Sequence, residues 1–271
     1  MEFKTKDDIK RKHLNYSMLR RVIIRADFTS MINTERMVAD LSDQSWFSTA
    51  FNNYSRLKYV DTPQPQEISH KEEWQPRFIR RFDDCNIKPE NRVTLDITNE
   101  SLCMDIQCDE NYKKIDDYLG FLIDTLSFII GHDQYVKMRR LAIRKIDGDS
   151  FPNGNEADNV FEYFDQKISD LKDDHYWQRV YMDNFVYGKT NVKVNYTRTV
   201  KITAKEAERF VFSLDIDTYL DSELILNERP SLEEMKEIFF KRLNEATFEL
   251  FKRGVKFEFL LSKIRTDERE K

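Results

Sequence analysis

The stretch FVFSLDIDTYLDS, residues 210 to 222, constrains the fold most. Phe212, Leu214 and Ile216 alternate with Ser213, Asp215, Asp217 and Tyr219, and in an extended strand residues two apart share a face. One face of this strand is apolar and must be covered. The other carries two carboxylates and a phenol and belongs in water. A chain built from such strands folds as an antiparallel sheet covered on one side and wet on the other. The same alternation runs through RVTLDIT (92–98) and SLCMDIQC (101–108), joined by a tight Asn99-Glu100 turn. There Val93, Leu95, Ile97, Leu102, Met104 and Ile106 form the apolar face.

The cover is supplied by helices. Ile115, Leu119, Leu122, Ile123, Leu126, Ile129 and Ile130 make a wide stripe at helical spacing, with Gly131 placed to end it. A second long helix starts at Ser231, where Ser231 and Glu234 have the spacing of a capping box. Met235, Ile238, Phe239, Ala246 and Leu250 follow, and Gly254 lies near the end. Earlier in the chain RRVIIRADFTS (20–30) predicts a strand. Thr34 is placed to cap a helix that carries Met37, Leu41, Phe47, Phe51, Tyr54 and Leu57. A loop with three prolines covers 60–76, and RFIRRF (77–82) predicts a further strand.

The order then restarts. KMRRLAIRKI (137–146) predicts a strand and NVFEYFDQKISDL (159–171) a helix. WQRVYMDNFVY (177–187), TNVKVNYTRTVKI (190–202) and RFVFSLDIDTY (209–219) predict strands before the last helix. The expected fold is therefore α+β, as two tandem strand-helix-three strands-helix halves over 1–133 and 134–271. The sheets are mostly antiparallel, with helices packed on one face. RRVIIR against RRLAIR and LDI (95–97) against LDI (214–216), both offset by 119 residues, suggest one continuous domain made by internal duplication.

Composition bounds the function. Hydrophobic residues are 40% of the chain, including 20 Phe and 12 Tyr, which is ample for a packed core. Six Gly and six Pro leave few loops of the kind that build catalytic scaffolds. The net charge of −5 arises from interspersed charges, so no global field draws the chain to nucleic acid or a membrane surface. Cys85, Cys103 and Cys108 lack a Cys-x-x-Cys spacing, and MEFKTKDDIKRKHLNY lacks an apolar signal core. A soluble protein with reduced thiols, located in the cytoplasm, is expected.

Several constellations are candidate sites. Asp215 and Asp217 share a strand face and, with Asp96 or Asp105, have the oxygen chemistry of a Mg²⁺ site; the plainer reading is a solvated sheet face. Gly188-Lys189-Thr190 resembles the tail of a phosphate-binding loop. Asp183 stands where that motif needs a Gly, however, so a hairpin tip is expected. Lys189, Lys193 and Lys201 fall on one strand face, where they would either track a nucleic-acid backbone or guard a sheet edge. Arg25 and Arg144, with the arginines at the two strand entries, offer an anion-binding ridge. His13, His70, His132 and His175 are scattered without metal-ligand spacing, and no cysteine has a histidine nearby in sequence.

RRVIIRADF, RRLAIRKID, FSLDIDTY and LNEATFELFKRGV together resemble a sporadically distributed, functionally uncharacterised bacterial family of about this length, over nearly the whole chain. Its central strand has the form Arg-x-Gly-Leu-Arg-Tyr-x-Asn. Here Ala142 stands in place of the Gly, and Lys145 and Asp147 in place of the Tyr and Asn. The resemblance implies a bacterial origin, patchy inheritance of the kind seen in phage-defence loci, and a protein partner encoded nearby. It supplies no catalytic residues. The expected function is a non-enzymatic interaction or ligand-binding component, of a phage-defence or toxin-regulating module, without a cofactor. The alternatives are a metal-dependent nuclease or nucleotidyl-transfer enzyme using Mg²⁺, and a nucleic-acid binder.

Overall fold

The computed structural model describes residues 3–15, 18–51, 53–60, 72–80, 93–108, 112, 114–162, 178–203 and 209–265. Nine strands form a single sheet. They are β1 (Leu19–Phe28), β2 (Asn53–Val60), β3 (Glu72–Arg80), β4 (Val93–Ile97), β5 (Ser101–Gln107), β6 (Met138–Phe151), β7 (Gln178–Tyr187), β8 (Val192–Thr203) and β9 (Arg209–Asp221). Their order across the sheet is β2-β3-β4-β5-β1-β6-β9-β8-β7, and every neighbouring pair is antiparallel. The helices are α1 (Thr34–Ser42), α2 (Ser45–Ala50), α3 (Asp116–His132), α4 (Gly154–Asp158), α5 (Leu232–Lys236), α6 (Asn244–Gly254) and α7 (Phe257–Ser262). A π-helical stretch, Glu237–Leu243, joins α5 to α6.

The architecture is α+β, with the helices on one face of the sheet. β1 and β6 pair at its centre, Ile24 opposite Ile143, so residues from 1–133 and 134–271 share one hydrogen-bonded ladder. Four strands lie beyond β1 and three beyond β6 among the described residues. The flanks are thus unequal, and a duplication is not shown. One apolar core runs under the whole sheet: Val22 and Ile24 of β1, Leu95 of β4, Met104 of β5, Ile143 of β6 and Leu214 of β9 are fully buried with the α3 stripe Leu119, Leu122, Leu126 and Ile129. Burying such side chains gives roughly 1.5–3 kcal/mol each against solvent exposure, which is why alternation in sequence dictates the covered face.

Several elements differ from the sequence expectation. The helix predicted over Thr34 to Leu57 is two short helices followed by β2, which takes in Tyr54 and Leu57. Asn33, not Thr34, caps α1, its side chain accepting from the Arg36 N–H at 3.0 Å. Ser, Asp and Gln fill the junction at 42–45, and such side chains compete for backbone hydrogen bonds and end helices. Residues 72–76 of the proline-bearing segment belong to β3, paired with β2; 61–71 lie outside the described residues. The helix expected at 159–171 is replaced in its described part by α4 at 154–158 and a bridge between Phe161 and Val255. Gly131 is passed through, and α3 ends one residue later at His132.

The end of α3 is tied to a distant arginine. Arg229 Nη2 donates to the Ile130 carbonyl at 2.6 Å, and its Nη1 to the carbonyls of Asp133, Gln134 and Val136 at 3.1, 2.6 and 2.8 Å. One guanidinium thereby ties a carbonyl of the last turn of α3, left without an intrahelical partner, to the backbone of the link that follows it. The final helix begins at the expected box: Glu234 N–H donates to Ser231 Oγ, and Ser231 N–H to the Glu234 carboxylate. Its π-helical middle displaces carbonyls from α-helical partners, and Thr218, buried on β9, donates to the Leu243 carbonyl at 3.2 Å. Gly254 closes α6 against β8. A Cβ there would lie 1.8 Å from Tyr196 Oη, so close approach and not backbone conformation requires the glycine.

Candidate functional site

The uncovered face of the sheet carries Asp96, Asp105, Asp215, Asp217, Arg25, Arg144, Lys193 and Lys201. From β4 across to β8 it presents Asp96, Cys103 and Asp105, then Arg21, Ile23, Arg25 and Asp27. Arg140, Ala142, Arg144 and Ile146 follow, then Asp215, Asp217 and Tyr219, and finally Lys193, Asn195, Thr197, Thr199 and Lys201. The ladder register puts these residues side by side on one face.

Their charges are matched in pairs. Arg144 grips Asp215 in a two-pronged contact, Nε to Oδ1 at 2.8 Å and Nη2 to Oδ2 at 2.5 Å. Arg21 holds Asp105 the same way, with Nε at 2.8 Å from Oδ1. Arg140 donates to Asp217 at 2.8 Å, lies 4.0 Å from Asp27, and stacks over the Tyr219 ring at 4.6 Å. Arg25 bonds Asp27 at 2.6 Å. Such forked guanidinium contacts fix both partners in orientation. Asp217 is the most enclosed of these acids. Burial pushes its carboxyl above the ordinary range against the opposing pull of Arg140 and the Asn195 amide.

A shared metal site is not assembled from the four acids. β5 and β9 are separated by β1 and β6, so Asp105 lies three strand spacings from Asp217, about 14 Å, with Asp215 farther along β9 and Asp96 on the next strand out. Asp215 and Asp217 do sit together, each already held by its own arginine. Among the described residues no group of three His, Cys, Asp or Glu side chains is placed to hold a metal ion. Arg25 and Arg144 lie diagonally across the β1–β6 pair, each engaged by an aspartate.

The lysine row does not form as the sequence suggested. Gly188, Lys189 and Thr190 occupy the β7–β8 turn, confirming a hairpin tip, and Asn191 takes a left-handed conformation at φ 49° that closes it. Lys189 therefore precedes the strand and does not share its face. Lys193 is clamped between Asp221 and Glu223, at 2.5 Å from each. Both carboxylates favour its charged form. Lys201 lies exposed at the far end of β8.

On the helix side of β6 a half-open pocket of about 60 Å³ is lined by Leu14, Met18 and Leu19 from the N-terminal segment, Phe248 and Phe251 of α6, and Lys145 and Asp147 of β6. Lys145 donates to Asn244 Oδ1 at 2.7 Å. Burial lowers the Lys145 ammonium to about 7, helped by nearby Arg11, and raises the Asp147 carboxyl to about 7. The sequence did hold a signal for them. Leu141 and Ile143 set the inward parity of β6, and Lys145 and Asp147 continue it with charge.

Cys103 and Cys108 are free thiols, and burial raises Cys103 to about 11, far from the range of a nucleophile. His13 is buried against Phe3 and accepts from the Lys10 N–H, while His132 bonds Asp40 at 2.7 Å. Cys85, His70 and His175 lie outside the described residues. No helix among the described residues is long and apolar enough to cross a membrane.

No family model matches the chain, and no characterised protein or solved structure matches it either.

Proposed function

We propose that the protein is a non-enzymatic interaction component that docks another protein on its uncovered sheet face. The observation that carries this reading is the composition of that face. It has an apolar centre of Ile23, Ala142 and Ile146 ringed by arginine-aspartate pairs and Tyr219, and it continues to the exposed Met182 and Val186 of β7. Arginine, tyrosine and methionine around an apolar centre are the residue types that protein interfaces over-use. The forked ion pairs hold the arginines in fixed orientations before a partner arrives, which lowers the ordering cost of binding. On the resemblance of RRLAIRKID and FSLDIDTY to the bacterial family described above, the partner is a protein encoded nearby, in a cytoplasmic defence or toxin-regulating module.

The test is affinity capture from the native host with the wild-type chain and with a variant carrying Ile146→Lys and Val186→Lys. A protein retained by the former and lost by the latter supports the reading. Identical capture by both overturns it. The enzyme alternative is separated by thermal melting with Mg²⁺ or EDTA: a midpoint raised by metal in the wild type and not in Asp215→Ala returns that alternative to first place. Affinity for nucleic acid that falls steeply with salt does the same for the nucleic-acid alternative.

A further inference from the structure

The pocket on the helix side of β6 joins apolar walls to two ionisable side chains. Lys145 and Asp147 line it from one strand, two residues apart on the same face, yet among the described residues no hydrogen bond joins them. Lys145 Nζ gives one donor to Asn244 Oδ1 at 2.7 Å. Asp147 is only 7% exposed, and its carboxylate has no hydrogen-bond partner among the described residues. A carboxyl taken out of water without a partner is costly, and a few convergent polar groups in an apolar hollow are what small-molecule sites are made of.

Charge selects the class of ligand. Among the described residues that line the pocket, Arg11, Lys145 and Lys263 stand against Asp147 as the one acid, so the field within it favours an anion. Arg11 lies over the Phe248 ring, 5.0 Å from its centroid, and Lys263 bonds Asp149 at 3.1 Å, so both cations are held in place at the pocket wall.

We infer that this pocket binds a short aliphatic carboxylate, its head between Lys145 and Asp147 and its chain along Phe248 and Phe251. Lys145 keeps donors beyond the one on Asn244, and a protonated Asp147 supplies an O–H, so each can donate to one oxygen of the same carboxylate. Burial raises the Asp147 carboxyl, which favours that donor form; it lowers the Lys145 ammonium, and an anion alongside opposes this by favouring the charged form. A volume of about 60 Å³ is room for several waters at roughly 10–15 Å³ each. The head and first methylenes fit inside, and the rest of the chain leaves through the open side. This site goes beyond the docking of a protein on the uncovered face and uses different residues.

The test is isothermal titration calorimetry of the full chain with hexanoate, hexanol and hexylamine, each variant first checked for a wild-type circular dichroism spectrum. Hexanoate is expected to bind saturably at one site. Hexanol should bind roughly tenfold or more weakly, because it forgoes the charged hydrogen bonds, and hexylamine should not bind. Lys145→Met keeps the bulk of the side chain and removes its donors, so it should weaken hexanoate roughly tenfold or more and leave hexanol unchanged. Asp147→Leu removes the second donor and should weaken hexanoate as well. Phe251→Trp narrows the pocket without altering its charges and should weaken both hexanoate and hexanol, which keeps the inference testable if either β6 variant fails to fold. No saturable binding of hexanoate overturns the inference. So do equal affinities for hexanoate and hexanol, a preference for hexylamine, tighter binding by Asp147→Leu, or an affinity that Lys145→Met or Phe251→Trp leaves unchanged. Ile146 faces the other side of β6, so capture of a protein on that face and binding of hexanoate here fail independently.

Discussion

Gly254 offers the sharpest check on the packing of the last helix against the sheet. It is the final residue of α6 and has no left-handed backbone conformation, so by propensity alone alanine should stabilise this position by up to about 1 kcal/mol. Sterics reverse the sign. The added methyl would lie 1.8 Å from Tyr196 Oη, 3.1 Å from its Cζ and 3.4 Å from Leu214 Cδ2. An ordinary contact is about 3.5 Å or more, so either the helix end or the buried Tyr196 ring must move well over an ångström. Overpacking of that kind costs about 1–3 kcal/mol. Removing the phenol oxygen leaves the 3.1 Å contact as the tightest, which a few tenths of an ångström relieve. Gly254→Ala is therefore expected to lower stability by about 1–3 kcal/mol in the wild type and to be near neutral or mildly stabilising in a Tyr196→Phe background. Urea unfolding of the four chains in the cycle measures the coupling directly. Equal effects of Gly254→Ala in both backgrounds would refute the argument that the phenol oxygen is what excludes a side chain.

Other consequences follow from the buried charges and the capping arginine. Asp147 titrates at about 7 when folded against an ordinary 3.8, so it holds a proton that the unfolded chain releases, and its contribution to stability is lost as pH rises through that window. Lys145 titrates at about 7 against 10.5, so its contribution is lost as pH falls from 10.5 through 7. Urea midpoints should dip near neutral pH, with Asp147→Asn removing the acid-side slope and Lys145→Met the alkaline-side slope; a profile unchanged by either substitution would count against buried ionisation. Arg229→Met takes the donor from four carbonyls around the α3 terminus and should cost about 2–4 kcal/mol in the same unfolding assay, whereas Arg229→Lys should recover only part, having no fork. Arg140→Met leaves Asp217, with its side chain 16% exposed, supported by Asn195, and should cost about 1–3 kcal/mol near neutral pH. Acid should lessen that loss, since protonated Asp217 no longer needs the guanidinium, and Asp217→Asn in the same background should restore stability.

How much of this was legible follows from what each element depends on. β4, β5 and β9 alternate strictly, and burial of one face is a local demand, so Leu95, Met104 and Leu214 took the predicted side. The Ser231-Glu234 box and the α3 stripe were equally local. β2 was not legible, because Tyr54 and Leu57 keep helical spacing with Phe47 and Phe51, and only pairing with β3 decides between helix and strand. The site shows the same division. That Asp215 and Asp217 share a wet face was plain from parity, but their arginine partners come from β6, some seventy residues away, and their distance from Asp96 and Asp105 is set by strand order. The charged lining of the pocket is hard to see in the sequence because Lys145 and Asp147 look like ordinary strand polarity until the inward parity of Leu141 and Ile143 is counted through them.

The β1–β6 pairing has a consequence for how the chain can be cut. Its two strands come from opposite sides of the short link at 133–137, and nine register positions join them. Severed at that link, each fragment would carry one long strand edge of unpaired backbone groups whose natural complement is the other fragment, so neither has a reason to fold well alone, while co-expressed they have a template for reunion. The exposed Tyr135 within the link marks a place where the polypeptide can be opened, new termini introduced, or a reporter divided between the pieces, with reassembly read out through the centre of the sheet.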